Sequence, residues 1–368
     1  MPGIADRVPA SVQAATVRAL FGLPAPVRRL LAGRPVRQDG QRLESDTQLL
    51  LRLMKLEGLT LAGGEPARAR AVMEQGAPLA NGPMITGVQA RDLRIPGDDG
   101  PIPARIYTPE GLADGSPMLV FYHGGGWVIG SVATHDNTCR FLAAGAGVRV
   151  LSVDYRLAPE HPFPAAVTDS VTAFRYAVAH AAEWGADPGA IAVGGDSAGG
   201  NLAAVVCHVT AEERTTRPAF ALLFYPGVDA SAHRPSKDLF GKGYYLTAAD
   251  MDWFLDRYVP DTATRTDPRF SVLRSTHLAD FPPTYLTVGG FDPLRDEVEE
   301  FGALLAAAGV PVVVRRHPGL IHGFANYLGI IAAAREATSE AVGALRTGLA
   351  INGTTRSNTS ADAGSATA

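Results

Sequence analysis

The sequence predicts an α/β protein: a mostly parallel central sheet with helices on both faces, carrying a helical cap. Three observations carry that prediction. Short apolar runs alternate with helical patterns from about residue 118 to residue 314. One glycine-rich turn, Gly195 to Gly199, lies between such a run and a helix. Residues 1–88 read as helices, with none of the short runs that buried strands show.

In the N-terminal region Val12, Ala15, Val17, Leu20 and Phe21 recur near helical spacing, as do Leu49, Leu50, Leu53 and Leu56. Ser45 is the expected N-cap of the second stretch. From residue 89 the period changes. Gln89–Ile95 and Ile102–Tyr107 flank the turn residues Gly97 to Gly100 and predict an antiparallel hairpin. Met118–Tyr122, Val148–Val153, Ile191–Val193, Ala219–Phe224, Tyr285–Val288 and Val312–Val314 have the continuous apolar character of strands buried on both faces. Helical patterns at Ala165–Ala182 and Asn201–Glu213 separate some of them, which implies parallel crossovers. The segment 229–278, with a helix at Thr247–Tyr258, breaks the alternation and is expected to join the cap. The expected layout is therefore a helical cap region at 1–88, a catalytic domain at 89–350 and a tail at 351–368. That tail is mostly Asn, Gly, Thr, Ser and Ala, too poor in bulky apolar groups to offset the entropy of ordering, and is expected to be disordered.

Composition narrows the function. With 46% hydrophobic and 19% charged residues over 368 positions, the chain has the balance of an ordinary globular protein. A net charge of −4 argues against nucleic acid and against an anionic membrane surface, since both reward basic excess. No apolar run is long enough to span a bilayer. Cys139 and Cys207 are too few for a disulfide framework and read as separate buried thiols. Together with the absence of a secretory pattern, they make the cytoplasm the expected location.

Ile191-Ala-Val-Gly-Gly-Asp-Ser-Ala-Gly-Gly200 is the most informative stretch. It is Gly-x-Ser-x-Gly between strand and helix, the context in which a serine sits on a sharp turn with its hydroxyl lifted above the sheet edge. Gly195 and Gly199 let the neighbouring backbone pass where a Cβ would clash. The competing reading is that Ser197 merely caps the helix. Upstream, Leu119-Val-Phe-Tyr-His-Gly-Gly-Gly-Trp127 sets three glycines after a strand. Gly124, Gly125 and Gly126 are expected to supply two backbone donors to a developing oxyanion, and the Ala198 amide a third. His123 is expected to order this loop rather than move protons. A phosphate cradle has no support, because neither G-x-G-x-x-G nor G-K-[ST] occurs.

A serine nucleophile needs a base and an acid that orients it. His208, His233, His277, His317 and His322 follow Ser197. His208 lies in the helix leading away from the serine. His322, in Pro318-Gly-Leu-Ile-His-Gly-Phe324, falls in a loop after the last strand, where it can reach the carboxyl edge of the sheet; His317 ranks second. In Thr287-Val-Gly-Gly-Phe-Asp-Pro-Leu-Arg-Asp-Glu297, Asp292 comes first after a strand and is the expected acid. Asp296 and Glu297 sit where a helix dipole alone favours carboxylates.

With these residues in hand, the chain resembles the hormone-sensitive-lipase-like branch of the α/β-hydrolases, the bacterial family IV carboxylesterases. The resemblance rests on His123-Gly-Gly-Gly-Trp127, Asp154-Tyr-Arg-Leu-Ala-Pro-Glu-His-Pro-Phe-Pro-Ala165, Gly195-Asp-Ser-Ala-Gly-Gly200, Asp292-Pro-Leu-Arg-Asp-Glu297 and His322-Gly-Phe324, over roughly residues 85–345. It implies a Ser197–His322–Asp292 triad, an oxyanion hole of the three glycines with Ala198, and a scaffold role for the segment from Tyr155 to Ala166. It also implies no metal and no organic cofactor, a cap built partly from the N-terminus, and a homodimer joined through a sheet edge. The expected activity is hydrolysis of short- to medium-chain carboxylic esters. Receptors that use this fold lack the triad histidine, which is present here as His322. An amidase would use the same triad.

Overall fold

The computed structural model describes residues 10–362, with side chains over 15–350. The chain begins with α1 (Ala10–Phe21) and α2 (Ala25–Ala32), then a two-residue ladder of β1 (Arg37–Gln38) and β2 (Gln41–Arg42), then α3 (Ser45–Glu57) and α4 (Pro66–Asn81). The N-terminal region is thus not wholly helical. Asp39 (φ 52°) and Gly40 (φ 70°) both take positive φ, the conformation of a tight hairpin turn. The ladder pins this segment to the body: Gln41 Nε2 donates to the Gly290 carbonyl (3.2 Å) and the Glu44 amide to the Gly319 carbonyl (2.9 Å). The N-cap of α3 is Glu44, not Ser45; its carboxylate accepts the Thr47 amide at 2.8 Å.

The chain continues as β3 (Val88–Ile95), β4 (Ile102–Pro109), β5 (Ser116–Tyr122), α5 (Asp136–Ala146), β6 (Arg149–Val153), α6 (Ala165–His180), β7 (Ala186–Asp196), α7 (Ala198–Glu212) and β8 (Ala221–Phe224). Then come α8 (Pro235–Phe240), α9 (Ala248–Tyr258), β9 (Thr284–Phe291), α10 (Arg295–Ala307), β10 (Val312–Ile321) and α11 (Ala332–Asp362). The backbone of α11 passes the expected start of the tail at 351, and residues 363–368 lie outside those described.

Eight strands form one sheet in the order β10-β9-β8-β7-β5-β6-β4-β3. The hairpin β3–β4 and the β4–β6 pair are antiparallel; the other five pairs are parallel. Central strands are buried along their length, as in β9, where all eight residues from Thr284 to Phe291 are buried. Helix α5 packs with α11 and α6 with α7, so that apolar side chains cover the sheet on each face. Among the described residues no helix is long and apolar enough to cross a membrane.

Two inserted segments approach the carboxyl end of the sheet. Arg70 on α4 donates to the carbonyls of Val128 (2.8 Å) and Ala158 (2.9 Å) and pairs with Glu160 (2.6 Å). Helix α9 begins with a capping box in which Thr247 and Asp250 satisfy each other's backbone amides.

Candidate active site

Strand β7 ends at Asp196 and α7 starts at Ala198, so the whole reversal falls on Ser197, with φ 55° and ψ −117°. A non-glycine residue in this region costs on the order of 1–3 kcal/mol and persists only where its surroundings enforce it. They do. The Ser197 amide donates to the Phe224 carbonyl and its carbonyl accepts the Asn201 amide, both at 2.9 Å. A Cβ at Gly199 would fall on the Tyr122 carbonyl, and one at Gly195 on Gly199 itself. Ser197 does not cap α7: its side chain makes no cap hydrogen bond. Its Oγ instead lies 2.8 Å from His322 Nε2.

His322 follows β10 directly. The strand runs to Ile321, which pairs with Phe291, rather than stopping near Val314. That register sets His322 beside the end of β9, where Asp292 Oδ2 meets its Nδ1 at 2.9 Å. Asp292 is fully buried, and its other oxygen accepts the Leu294 amide at 2.8 Å. The ring of Tyr225 lies 4.7 Å from the imidazole, and its hydroxyl accepts the Ala325 amide. The other histidines go elsewhere. His317 lies within β10 and packs edge-on against Phe324. His208 Nδ1 contacts Ser275 Oγ, His277 packs against His208, and His233 pairs with Asp238. Asp296 accepts the Ser236 amide (2.8 Å), and Glu297 accepts the Val228 amide (2.7 Å). Burial pushes the Glu297 carboxyl up to about 8 against those amide bonds, so it is neutral at pH 7.

The glycine loop is fixed peptide by peptide. Because a peptide unit is planar and trans, gripping its carbonyl aims its N–H the opposite way. His123 Nδ1 holds the Gly124 carbonyl at 2.8 Å, which turns the Gly125 N–H away from it. The Gly125 carbonyl accepts the Val128 and Ile129 amides (3.1 and 2.9 Å), which aims the Gly126 N–H likewise. Among the described residues neither glycine amide has a protein acceptor, and both glycines border the cavity over Ser197 with Ala198. The Ala198 amide is a first-turn donor with no partner inside its helix. Gly124 corrects the sequence expectation. Its N–H is taken by Asp196 Oδ1 at 2.8 Å and is not offered to the cavity. His123 is fully buried and stacked on Tyr155 at 4.3 Å. Burial and the adjacent His135 push it down to about 4, so it holds the loop as a neutral ring. The Tyr155 hydroxyl donates to the His123 carbonyl (2.7 Å), and Arg156 is bound to Asp169 (2.8 Å).

The cavity walls are mainly apolar. Leu61 and Met73 come from the N-terminal segment, Met251, Phe254 and Phe270 from the segment after β8, and Trp127 from the glycine loop. Asp229, Arg234 and Lys237 make one end polar. Among the described residues, no three His, Cys, Asp or Glu side chains converge as metal ligands would. Sequence reasoning missed Tyr225, the buried Asp196 and His135, and the half-buried Asn326. Asp196 occupies a wildcard position of Gly-x-Ser-x-Gly, so the motif carried no signal for it.

The α/β-hydrolase fold family matches residues 119–326, which contain the glycine loop, the serine turn, Asp292 and His322. The chain belongs to this family. Within it, the hydrolase falls in the hormone-sensitive-lipase-like branch. It is 43% identical to the carboxylic ester hydrolase LipN of Mycobacterium tuberculosis, over 94% of this chain and 97% of that one. It is 37% identical to an ethyl acetate hydrolase of Pseudomonas putida, over 77% and 90%. Among solved structures, an ester hydrolase from the Lake Arreo metagenome superimposes with a TM-score of 0.80 at 38% identity, covering 83% of this hydrolase and 98% of that chain.

Proposed function

We propose that this serine esterase hydrolyses short- to medium-chain carboxylic esters through an acyl-enzyme on Ser197. The observation that carries the reading is the unbroken line from Ser197 Oγ to His322 Nε2 (2.8 Å) and from His322 Nδ1 to Asp292 Oδ2 (2.9 Å), beside two unpartnered glycine amides. Ser197 Oγ attacks the ester carbonyl as its proton passes to His322 Nε2. The oxyanion that forms accepts the amides of Gly125, Gly126 and Ala198. The intermediate collapses, the C–O bond to the alcohol breaks, and His322 returns the proton to the leaving alkoxide. Water then repeats the sequence and releases the acid.

We assign the cap to α1–α4 together with α8 and α9. Side chains of α4 and α9, with Leu61, close over the serine and favour modest acyl chains over bulky lipid. The buried, unbridged Cys139 and Cys207 agree with a cytoplasmic setting, and the open edge of β10 agrees with a homodimer through that strand. Ser197→Ala should abolish ester hydrolysis and labelling by a fluorophosphonate without lowering thermal stability; near-normal turnover would overturn the assignment. Nitrophenyl acetate, butyrate, hexanoate and laurate compared by kcat/KM should favour the shorter members. A maximum at laurate would remove the chain-length reading.

A further inference from the structure

We propose that Asp196 is a positioning residue for the oxyanion site: its buried carboxylate, seated on His135, ties the Gly124 amide and the Asn326 side chain to the serine turn. This rests on the esterase reading above.

Burying a carboxylate costs several kcal/mol unless donors replace its water. Asp196 is 2% exposed, and the hydrogen bonds of His322 run to Asp292 and the Ser197 hydroxyl and not to it. Its partners come from two separate segments: Gly124 and His135 from the connection between β5 and α5, and Asn326 from the turn after β10. Oδ1 accepts the Gly124 amide at 2.8 Å and faces His135 Nε2 at 3.1 Å. Oδ2 accepts Asn326 Nδ2 at 3.0 Å. His135 sits at the N-cap of α5, and its Nδ1 lies 2.8 Å from Thr134 Oγ1. Asn326 comes four residues after His322. Burial would raise this carboxyl, but His135, Asn326 and the Gly124 amide outweigh it and hold it below its ordinary value.

The consequence is geometric. The peptide joining His123 to Gly124 is gripped at both ends, its carbonyl by the Tyr155 hydroxyl (2.7 Å) and its N–H by Asp196. The next peptide, which carries the Gly125 N–H, hinges on this anchored one at the Gly124 Cα and is held in turn by His123 Nδ1 on its carbonyl. Asp196 is adjacent in the chain to Ser197, so the distance from oxygen nucleophile to oxyanion donors is set through one side chain. The arrangement also explains why residue 124 is glycine although its amide does not face the cavity. A Cβ there would lie 2.5 Å from Asp196 Oδ2.

Asp196→Asn keeps the volume but presents an NH2 group to the donors of Gly124, His135 or Asn326. On nitrophenyl butyrate kcat should fall about tenfold to a hundredfold, with KM within about twofold. Inhibition by a trifluoromethyl ketone, whose serine adduct carries the oxyanion, should weaken by the same factor as kcat/KM. Inhibition by the corresponding unfluorinated ketone should not change. Asn326→Ala removes a single donor from the rim and should repeat the pattern at smaller amplitude, so it decides the matter if Asp196→Asn fails to fold. Turnover within about twofold of wild type in the variant that folds would overturn the proposal. So would equal weakening of both ketones, which is the mark of general damage. Ser197→Ala run alongside separates the two readings: residual esterase activity there sinks the nucleophile assignment, whereas a dead Ser197→Ala beside a fully active Asp196→Asn sinks only the positioning role.

Discussion

Asp292→Asn probes the triad at its most buried member. Asp292 uses one oxygen to accept the Leu294 amide at 2.8 Å and presents the other to His322 Nδ1 at 2.9 Å. Asparagine in the same pose keeps its oxygen on the Leu294 N–H, because the flipped amide would set donor against donor. Its NH2 then faces Nδ1, and Nδ1 must become an acceptor. The ring proton moves to Nε2, which stands 2.8 Å from the Ser197 hydroxyl and can no longer take its proton. In serine proteases the same change of tautomer lowers kcat about ten-thousandfold, close to 5 kcal/mol of transition-state stabilisation. No other histidine reaches the serine to substitute, since His317 is fixed within β10 and His208 is held on Ser275. Asp296→Asn is the matched control, because Asp296 serves the Ser236 amide and Arg295 and not the imidazole. Steady-state hydrolysis of nitrophenyl butyrate, with urea unfolding as a check on the fold, should give a loss of about four powers of ten for Asp292→Asn. The control should lose no more than about threefold. Retention within about tenfold by Asp292→Asn, or an equal loss in the control, would refute the reasoning.

Two further changes test the surroundings of the site. Glu297 is protonated in the folded protein up to about pH 8 but ionises near 4.5 once unfolded, so the native state binds the extra proton and stability falls as pH rises between those values. Glu297→Gln should flatten that decline and be the more stable protein at pH 9, by no more than about 5 kcal/mol, in urea titrations across the window; parallel curves for the two proteins would contradict the raised value. Gly126→Ala places a methyl group inside the ring of Phe254 at a residue with φ +58°. The left-handed conformation alone costs about 1–2 kcal/mol. The displaced ring should narrow the acyl cavity, cutting kcat/KM for the hexanoate ester more than for the acetate. An equal effect on both would mean that Phe254 does not border the acyl group.

Which elements were legible in the sequence follows from what buries them. β5, β6, β8 and β9 lie inside the sheet with both faces covered, so their residues are continuously apolar and easily seen. Only three valines of the last strand stand out in the sequence, yet it extends from Val312 to Ile321. As the edge of the sheet it faces solvent, and Arg315 and Arg316 pair there with Glu340 and Glu299. A strand that faces solvent tolerates charged residues, and in a sequence they resemble a loop. His322 still falls in the turn after that strand, as expected, and the extra length of strand is what carries it to Asp292. The helix start at Glu44 was missed for a different reason: serine is the commoner cap, but the carboxylate one residue earlier reaches the Thr47 amide.

The glycines make the sharper case. Ser197, Asp292 and His322 could be picked out because each follows a strand at the edge where a parallel sheet gathers its functional groups. The three glycines could be picked out too, but not sorted. A glycine is required wherever something must come closer than a Cβ allows, and a bound ligand is only one such neighbour. At Gly126 the neighbours are the cavity and Phe254; at Gly125, the cavity and the Ile129 carbonyl. At Gly124 the neighbour is the Asp196 carboxylate, which takes the Gly124 N–H. The same letter therefore records two physical demands: two positions border the cavity with an unpartnered N–H, and the third gives room to a buried carboxylate. Only the direction of each N–H separates them, and that direction is set by the Asp196 and His123 side chains and by the Val128 and Ile129 amides, groups whose relation to the loop exists only after folding.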